Sequence, residues 1–110
     1  MGDSVSRYVV QKSDTLEAAM LLIEENRHRS VVVLDDRGVV VGTLSDGDAR
    51  KAILDRRLLS TPVEHVMNTN FVAVGSDERA RAREAIERDH LFLIPIVDAE
   101  GKLLDIEAAY

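Results

Sequence analysis

The 110-residue sequence has no cysteine and no tryptophan, only two prolines, and an aromatic share of 4%. Without cysteine there is no disulfide framework, no thiol nucleophile and no cysteine-based metal site, and the expected compartment is the reducing cytoplasm. No apolar run approaches the roughly 20 residues that cross a bilayer, so no membrane partner is expected. The opening Met-Gly-Asp-Ser-Val-Ser-Arg lacks an apolar signal core. Positive charge is also scarce: 14 Lys and Arg face 20 Asp and Glu, for a formal charge of −6. Such a chain lacks the cations to neutralise a phosphate backbone and the rings to stack bases, which argues against nucleic acid as a partner. A local basic patch for one small phosphorylated ligand remains compatible with that balance.

What the chain does have is apolar side chains, 45% of the total, grouped in periodic runs that suit a folded domain. They occur twice over. A shift of 63 residues carries Ser13-Asp14 onto Ser76-Asp77, Ala19 onto Ala82, Ile23 onto Ile86, Asp35 onto Asp98 and Gly38 onto Gly101 without a gap. Two copies of one unit are therefore expected, residues 8–55 and 62–110 with a linker at 56–61. The second copy reads as truncated at its C-terminus, as in a module cut from a longer chain.

In the first copy Tyr8-Val9-Val10 is a short strand. Asp14, with Glu17 three residues on, has the form of a capping box, and Leu16, Ala19, Met20 and Ile23 follow at helical spacing. Val31-Val32-Val33-Leu34 reads as a buried strand, Asp35-Asp36-Arg37-Gly38 as a turn, and Val39-Val40-Val41 as the return strand, interrupted at Gly42. A second helix starts near Ser45 with Ala49, Ala52 and Ile53 inward. Thr61-Pro62-Val63-Glu64 predicts a short helix through Met67 with Thr61 as its cap.

In the second copy Phe71-Val72-Ala73-Val74 is the strand, and Ser76 or Asp77 opens a helix that buries Ala82, Ala85 and Ile86. Ile94-Pro95-Ile96-Val97 and Lys102-Leu103-Leu104 form the hairpin. Pro95 stands where the first copy has Val32 and marks an edge or a bend, because proline has no N–H for the ladder. One unit cannot bury both faces of its sheet. The expected fold is α/β (α+β): two βαββα repeats packed sheet to sheet with pseudo-twofold symmetry, and ligand clefts between them.

The most informative stretch is Gly42-Thr43-Leu44-Ser45-Asp46-Gly47-Asp48, where a strand ends and a helix begins. Free N–H groups at a helix start attract phosphate, the Thr43 and Ser45 hydroxyls add donors, and the Asp48 carboxylate suits a pair of ribose hydroxyls. Arg50 and Lys51 lie next to this start and add positive charge. Ser45 with Asp48 is equally a plain helix cap with a first-turn acid. The second copy has Asp105, Ile106 and Ala108 at the positions of Gly42, Thr43 and Ser45, so the polar pattern is lost there. Arg27-His28-Arg29 is a basic turn, a surface feature or a partner for a phosphate tail. Arg79 and Arg83 fall where the repeat has Leu16 and Met20, which points to a solvated face, a cleft or a partner surface. His28, His65 and His90 have no metal-ligand spacing, and no metal is expected. No nucleophile–base pair, paired acids or P-loop is present, so no catalytic residues and no enzyme are expected in this chain.

These segments together resemble a tandem pair of CBS domains, the Bateman module, over about Val9 to Ile106. The resemblance rests on Asp14-Thr15-Leu16-Glu17-Ala18-Ala19, Ser30-Val31-Val32-Val33-Leu34-Asp35, the Gly38–Asp48 stretch, Val66-Met67 and Ile94-Pro95-Ile96-Val97-Asp98. Ser45 to Leu54, followed by Pro62-Val63 and Val66-Met67-Asn68, is most similar to the pair fused ahead of sugar-phosphate nucleotidyltransferase domains. The resemblance implies a regulatory module holding an adenine nucleotide (AMP, ADP or ATP). Its Gly-x-x-Ser/Thr-x-x-Asp motif falls on Gly42, Ser45 and Asp48, with Ser45 on phosphate and Asp48 on ribose. Phe92, Leu93 and Pro95 would lie near the base. It also implies a homodimer, with Leu16, Met20 and Ile23 as candidate contacts, and control of a fused or partner catalytic domain. The alternative is a ligand-free pair serving only dimerisation.

Overall fold

The computed structural model describes residues 3–110. The first repeat contains α1 (Asp3–Ser6), β1 (Val9–Gln11), α2 (Leu16–Asn26), β2 (Ser30–Leu34), β3 (Val40–Ser45) and α3 (Asp46–Leu54). A single 3-10 turn (Val63–His65) leads to β4 (Val74–Gly75), α4 (Arg79–Asp89), β5 (Leu93–Val97) and β6 (Leu103–Ala108). Two three-stranded sheets result, β1-β2-β3 and β4-β5-β6, each with one parallel and one antiparallel pairing. The 63-residue shift superimposes α2 on α4, β2 on β5 and β3 on β6 end to end. It also carries the register break at Val33/Leu34 onto Ile96/Val97, and Gly38 (φ 83°) onto Gly101 (φ 84°). These are two βαββα-type repeats, with β6 the last element described in the second.

The repeats meet about a pseudo-twofold axis. Val40 N–H donates to Gly101 O and Leu103 N–H to Gly38 O, both at 3.0 Å, and Val39 bridges Lys102 between them. Side chains of β2 alternate between two cores, which is why all five of its residues are buried. Val31 and Val33 face α2 and α3 with Leu16, Ala19, Ile23, Leu44, Ala49 and Ala52. Val32 and Leu34 face the other sheet, meeting Leu93 and Leu103. Ile94 and Ile96 likewise turn to Ala82, Ala85 and Ile86 of α4.

Several local expectations are corrected. The cap of α2 is Thr15, whose Oγ1 accepts Ala18 N–H at 3.1 Å. Asp14 instead folds back to accept Gln11 N–H at 2.8 Å. The next free N–H groups of α2 are satisfied by the linker: Leu16 donates to Thr61 O and Glu17 to Leu59 O. Glu17 therefore has no capping box to close. In the second copy α4 starts at Arg79, later than Ser76 or Asp77, and has no side-chain cap. The reason is a one-residue deletion. Glu78 accepts Gly75 N–H at 3.2 Å, which is the task of Asp14, and the helix follows at once with no counterpart of Thr15.

Pro95 lies in the central strand of its sheet rather than at an edge. Its first-copy counterpart Val32 donates to Tyr8 O at 2.6 Å. Proline has no such donor, so β4 pairs only through Val74 and Gly75, and Phe71–Ala73 stay outside the ladder. Gly42 does not interrupt β3, which runs through it. Ile53 is 42% exposed. Pro62, not Thr61, stands at the cap of the 3-10 turn, because the Thr61 carbonyl is committed to Leu16.

Candidate functional site

The junction of β3 and α3 is built by a reciprocal cap. Ser45 Oγ accepts Asp48 N–H at 3.1 Å, and an Asp48 carboxylate oxygen accepts Ser45 N–H at 3.0 Å. The first helical N–H, that of Asp46, is taken by Arg29 O at 2.8 Å. Ser45 still has its O–H to donate, and Asp48 has a second oxygen; both side chains are half-buried. The two roles foreseen for this pair, cap and ligand contact, are therefore chemically compatible.

Gly42 is what lets the next wall approach. A Cβ there would meet Met67 Sδ at 2.6 Å and Asn68 O at 3.0 Å. With glycine in place, Thr43 and Asn68 exchange two backbone hydrogen bonds of 3.0 and 2.7 Å. This draws the linker alongside α3 and opens a cleft of about 280 Å³ between them. Asp48, Lys51 and Asp55 line one side, and Arg57, His65, Met67 and Asn68 line the other. Among the described residues, none of Lys51, Asp55, Arg57 or His65 takes part in an ion pair. Asp48 of the nucleotide motif lies in this lining, as does Lys51, foreseen as the adjacent positive charge. Met67 and Asn68, quoted in the sequence for the resemblance but given no site role, are brought here by the Thr43–Asn68 bridge. Arg57, which the sequence reading did not single out, is held by its N–H on Ala52 O at 2.9 Å.

The residues predicted for the base separate. Leu93 is buried between the sheets, and Pro95 is almost wholly enclosed. Phe92 is half-buried at the surface, with the Arg29 guanidinium 5.7 Å from its ring centre. Arg29 thus ties Phe92 to the start of α3 through its carbonyl and its side chain.

The corresponding region of the second repeat is charged and internally paired. Arg79 bonds Asp105 and Glu107, and Arg83 bonds Glu107 at 2.6 Å and Ala109 O at 3.3 Å. Arg79 and Arg83 are accordingly partners of β6. Hydrogen bonding from Ile106 N–H and the Arg79 guanidinium hold the Asp105 carboxyl below the usual carboxylate range. A broader depression of about 530 Å³ beside β4 presents Asp77, Glu78 and Asp98 and no basic side chain, a lining that repels phosphate. Among the described residues no group of three His, Asp or Glu is placed to hold a metal ion, and no helix is long and apolar enough to cross a membrane.

Two parallel–antiparallel sheets related by a twofold, the first backed by α2 and α3 and the second by α4, define a paired-repeat α/β module. The family model for the CBS domain matches residues 5–55. The first repeat is thus matched as a CBS domain, and the two βαββα repeats together have the fold of a tandem CBS pair. It is 31% identical over 103 residues to arabinose 5-phosphate isomerase GutQ of Salmonella typhi, covering 93% of this chain and 32% of that protein. The fold is similar to the CBS domains of a transcriptional regulator from Streptococcus pneumoniae, with a TM-score of 0.77 at 23% identity over 94% of this chain and 85% of that one. It is also similar to the CBS domain protein PAE2072 from Pyrobaculum aerophilum complexed with AMP, with a TM-score of 0.75 at 17% identity over 96% and 86% of the two chains.

Proposed function

We propose that this CBS pair is a regulatory module that binds one adenine nucleotide per chain, on the first repeat. The observation that carries the reading is the asymmetry between the copies. The first repeat offers Ser45, Asp48 and a cleft with Lys51, Arg57 and His65. The second has Ala108 for Ser45, and its Asp105 and Glu107 are consumed by Arg79 and Arg83. Asp48 takes the ribose hydroxyls, and Gly42 and Thr43 precede it at the end of β3. Of the three residues foreseen for the base, the half-buried Phe92 is the one open to it, Leu93 and Pro95 being enclosed. The cations of the cleft face the phosphates. AMP in the complex of PAE2072 supports this ligand class.

The repeats are assigned to residues 8–55 and 62–110, with 56–61 as linker. The sequence resemblance points to a nucleotidyltransferase as the controlled domain, and the curated relative is a sugar-phosphate isomerase of which this chain spans about a third. Both act on phosphorylated sugars, so the module is assigned to an enzyme of that substrate class, in the cytoplasm, as a homodimer. Titration calorimetry with AMP, ADP and ATP should give a stoichiometry near one per chain, and Asp48→Ala should abolish the heat. Two equal sites, or undiminished binding by that variant, would refute the reading.

A second reading, a ligand-free dimerisation module, is favoured by one observation: the Ser45–Asp48 pair already satisfies itself as a cap. It predicts no nucleotide heat in the wild type.

A further inference from the structure

The turn between α2 and β2 is under conformational strain. Arg27 (φ 60°) and Arg29 (φ 61°) are both left-handed without being glycine. Arg27 is an ordinary helix end, matched by His90 (φ 56°) in the second repeat, but Phe92, the counterpart of Arg29, has no such φ. Asn26, 2% exposed, braces the turn from below: its amide donates to Ser30 O and Arg7 O, and its carbonyl accepts His28 N–H at 2.8 Å.

A second brace comes from the other repeat. The ring of Tyr110 stacks on His28 at 4.7 Å between centroids with 22° between planes, and its hydroxyl donates to Arg27 O at 3.1 Å. His28 Nε2 faces the Tyr110 carbonyl oxygen, while Nδ1 lies 3.1 Å from the Tyr8 hydroxyl and 2.9 Å from Asn26 O. One residue earlier, Ala109 N–H donates to Phe92 O at 2.9 Å. The segment leaving β6 is thus fastened to Phe92 directly and, through the His28 turn, to Arg29, whose carbonyl holds the start of α3.

We propose that Tyr110 is a latch that couples the exit of the second repeat to the candidate nucleotide site of the first. With the latch closed, the strained turn holds Arg29 O on Asp46 N–H and the Arg29 guanidinium over Phe92, and α3 starts in the binding geometry. With it open, the turn relaxes and the start of α3 loosens. A ligand that favours the closed geometry must in return tighten the latch, so occupancy is transmitted to the segment that leaves β6. The coupling to ligand rests on the nucleotide reading above; the coupling of Tyr110 to the turn does not.

Amide exchange of the ligand-free chain tests the second part. Tyr110→Ala should speed exchange at His28 and Asp46 by about three- to tenfold, the worth of a ring stack and one hydrogen bond. Val40, at the twofold, should not change. Tyr110→Phe, which keeps the stack, should fall between. His28→Ala combined with Tyr110→Ala should add little to either alone. Unchanged exchange at Asp46 in Tyr110→Ala would overturn the latch. If the wild type binds AMP and Tyr110→Ala binds it equally well, the coupling fails while the nucleotide reading stands. If the wild type binds no nucleotide, that reading and the ligand coupling fail, and the exchange result alone decides the latch.

Discussion

Gly42 shows how one missing side chain shapes the site. Its hydrogen stands where a methyl group would strike Met67 Sδ and the Asn68 carbonyl. The Met67 side chain can swing away, but the carbonyl is held by Thr43. Gly42→Ala is therefore expected to cost about 1–3 kcal/mol by overpacking. Thermal melts should show the loss, and faster amide exchange at Thr43 and Asn68 should locate it. Asp48 carries a double load. Asp48→Ala removes the N3 half of the cap and should lower stability by about 0.5–2 kcal/mol, while Asp48→Asn keeps an acceptor for Ser45 N–H. Calorimetry on the pair separates roles: a ribose ligand that needs the carboxylate loses binding in both, whereas the stability loss appears chiefly in the alanine variant.

At the level of elements, the repeats differ through two small changes with physical consequences. Pro95 deletes one donor, and β4 shrinks to two residues. Pro95→Val restores the first-copy residue and its N–H. Phe71–Ala73 should then join the ladder, seen as slowed exchange of their amides; unchanged exchange there would show that something other than the donor keeps the segment out. The deletion after Glu78 leaves α4 without a cap, and the helix relies instead on Arg79 and Arg83 pairing with β6. Inserting threonine between Glu78 and Arg79 should restore a cap and raise stability by about 1 kcal/mol, measured by urea unfolding.

For the whole molecule, acid should unfold the chain in a definite window. Backbone N–H groups of Val39 and Gly75 hold Asp35 and Glu78 below the usual carboxylate range, Arg81 assisting at Glu78, and Ile106 N–H with Arg79 does the same for Asp105. A carboxylate whose folded pKa is depressed binds fewer protons folded than unfolded. Its contribution is complete above the unfolded value and is lost as pH falls through the folded one. Melting temperature should be level from neutral pH to about pH 5 and fall below about pH 4. A melting temperature still level at pH 3 would contradict this. Association is the second whole-molecule test. Leu16 and Ile23, read as candidate dimer contacts, are buried in their own repeat. Leu54, Leu58 and Leu59, at 76%, 71% and 44% exposure, follow one another closely at the end of α3 and in the linker and form the exposed apolar run expected to meet a partner. Light scattering at micromolar concentration should give twice 12.2 kDa, and Leu54→Glu with Leu58→Glu should return the monomer.

The sequence by itself determined the repeat, the strand–helix–strand–strand order, the buried Val31–Leu34 strand, the Gly38 and Gly101 turns and the Ser45–Asp48 cap. Each is written in a short window, through periodicity, a turn residue needing positive φ, or a hydroxyl three residues ahead of an acid. Tertiary structure decided the rest. Whether Thr15 or Asp14 caps α2 depends on where Gln11 and the linker carbonyls lie. Whether Pro95 sits at an edge depends on strand order. Met67 and Asn68 reach the cleft because Gly42 admits the linker, and Tyr110 reaches His28 because the two sheets pack about the Val39–Lys102 axis. Those contacts join residues far apart in the chain. No local pattern encodes them, because their energy comes from burying one repeat against the other.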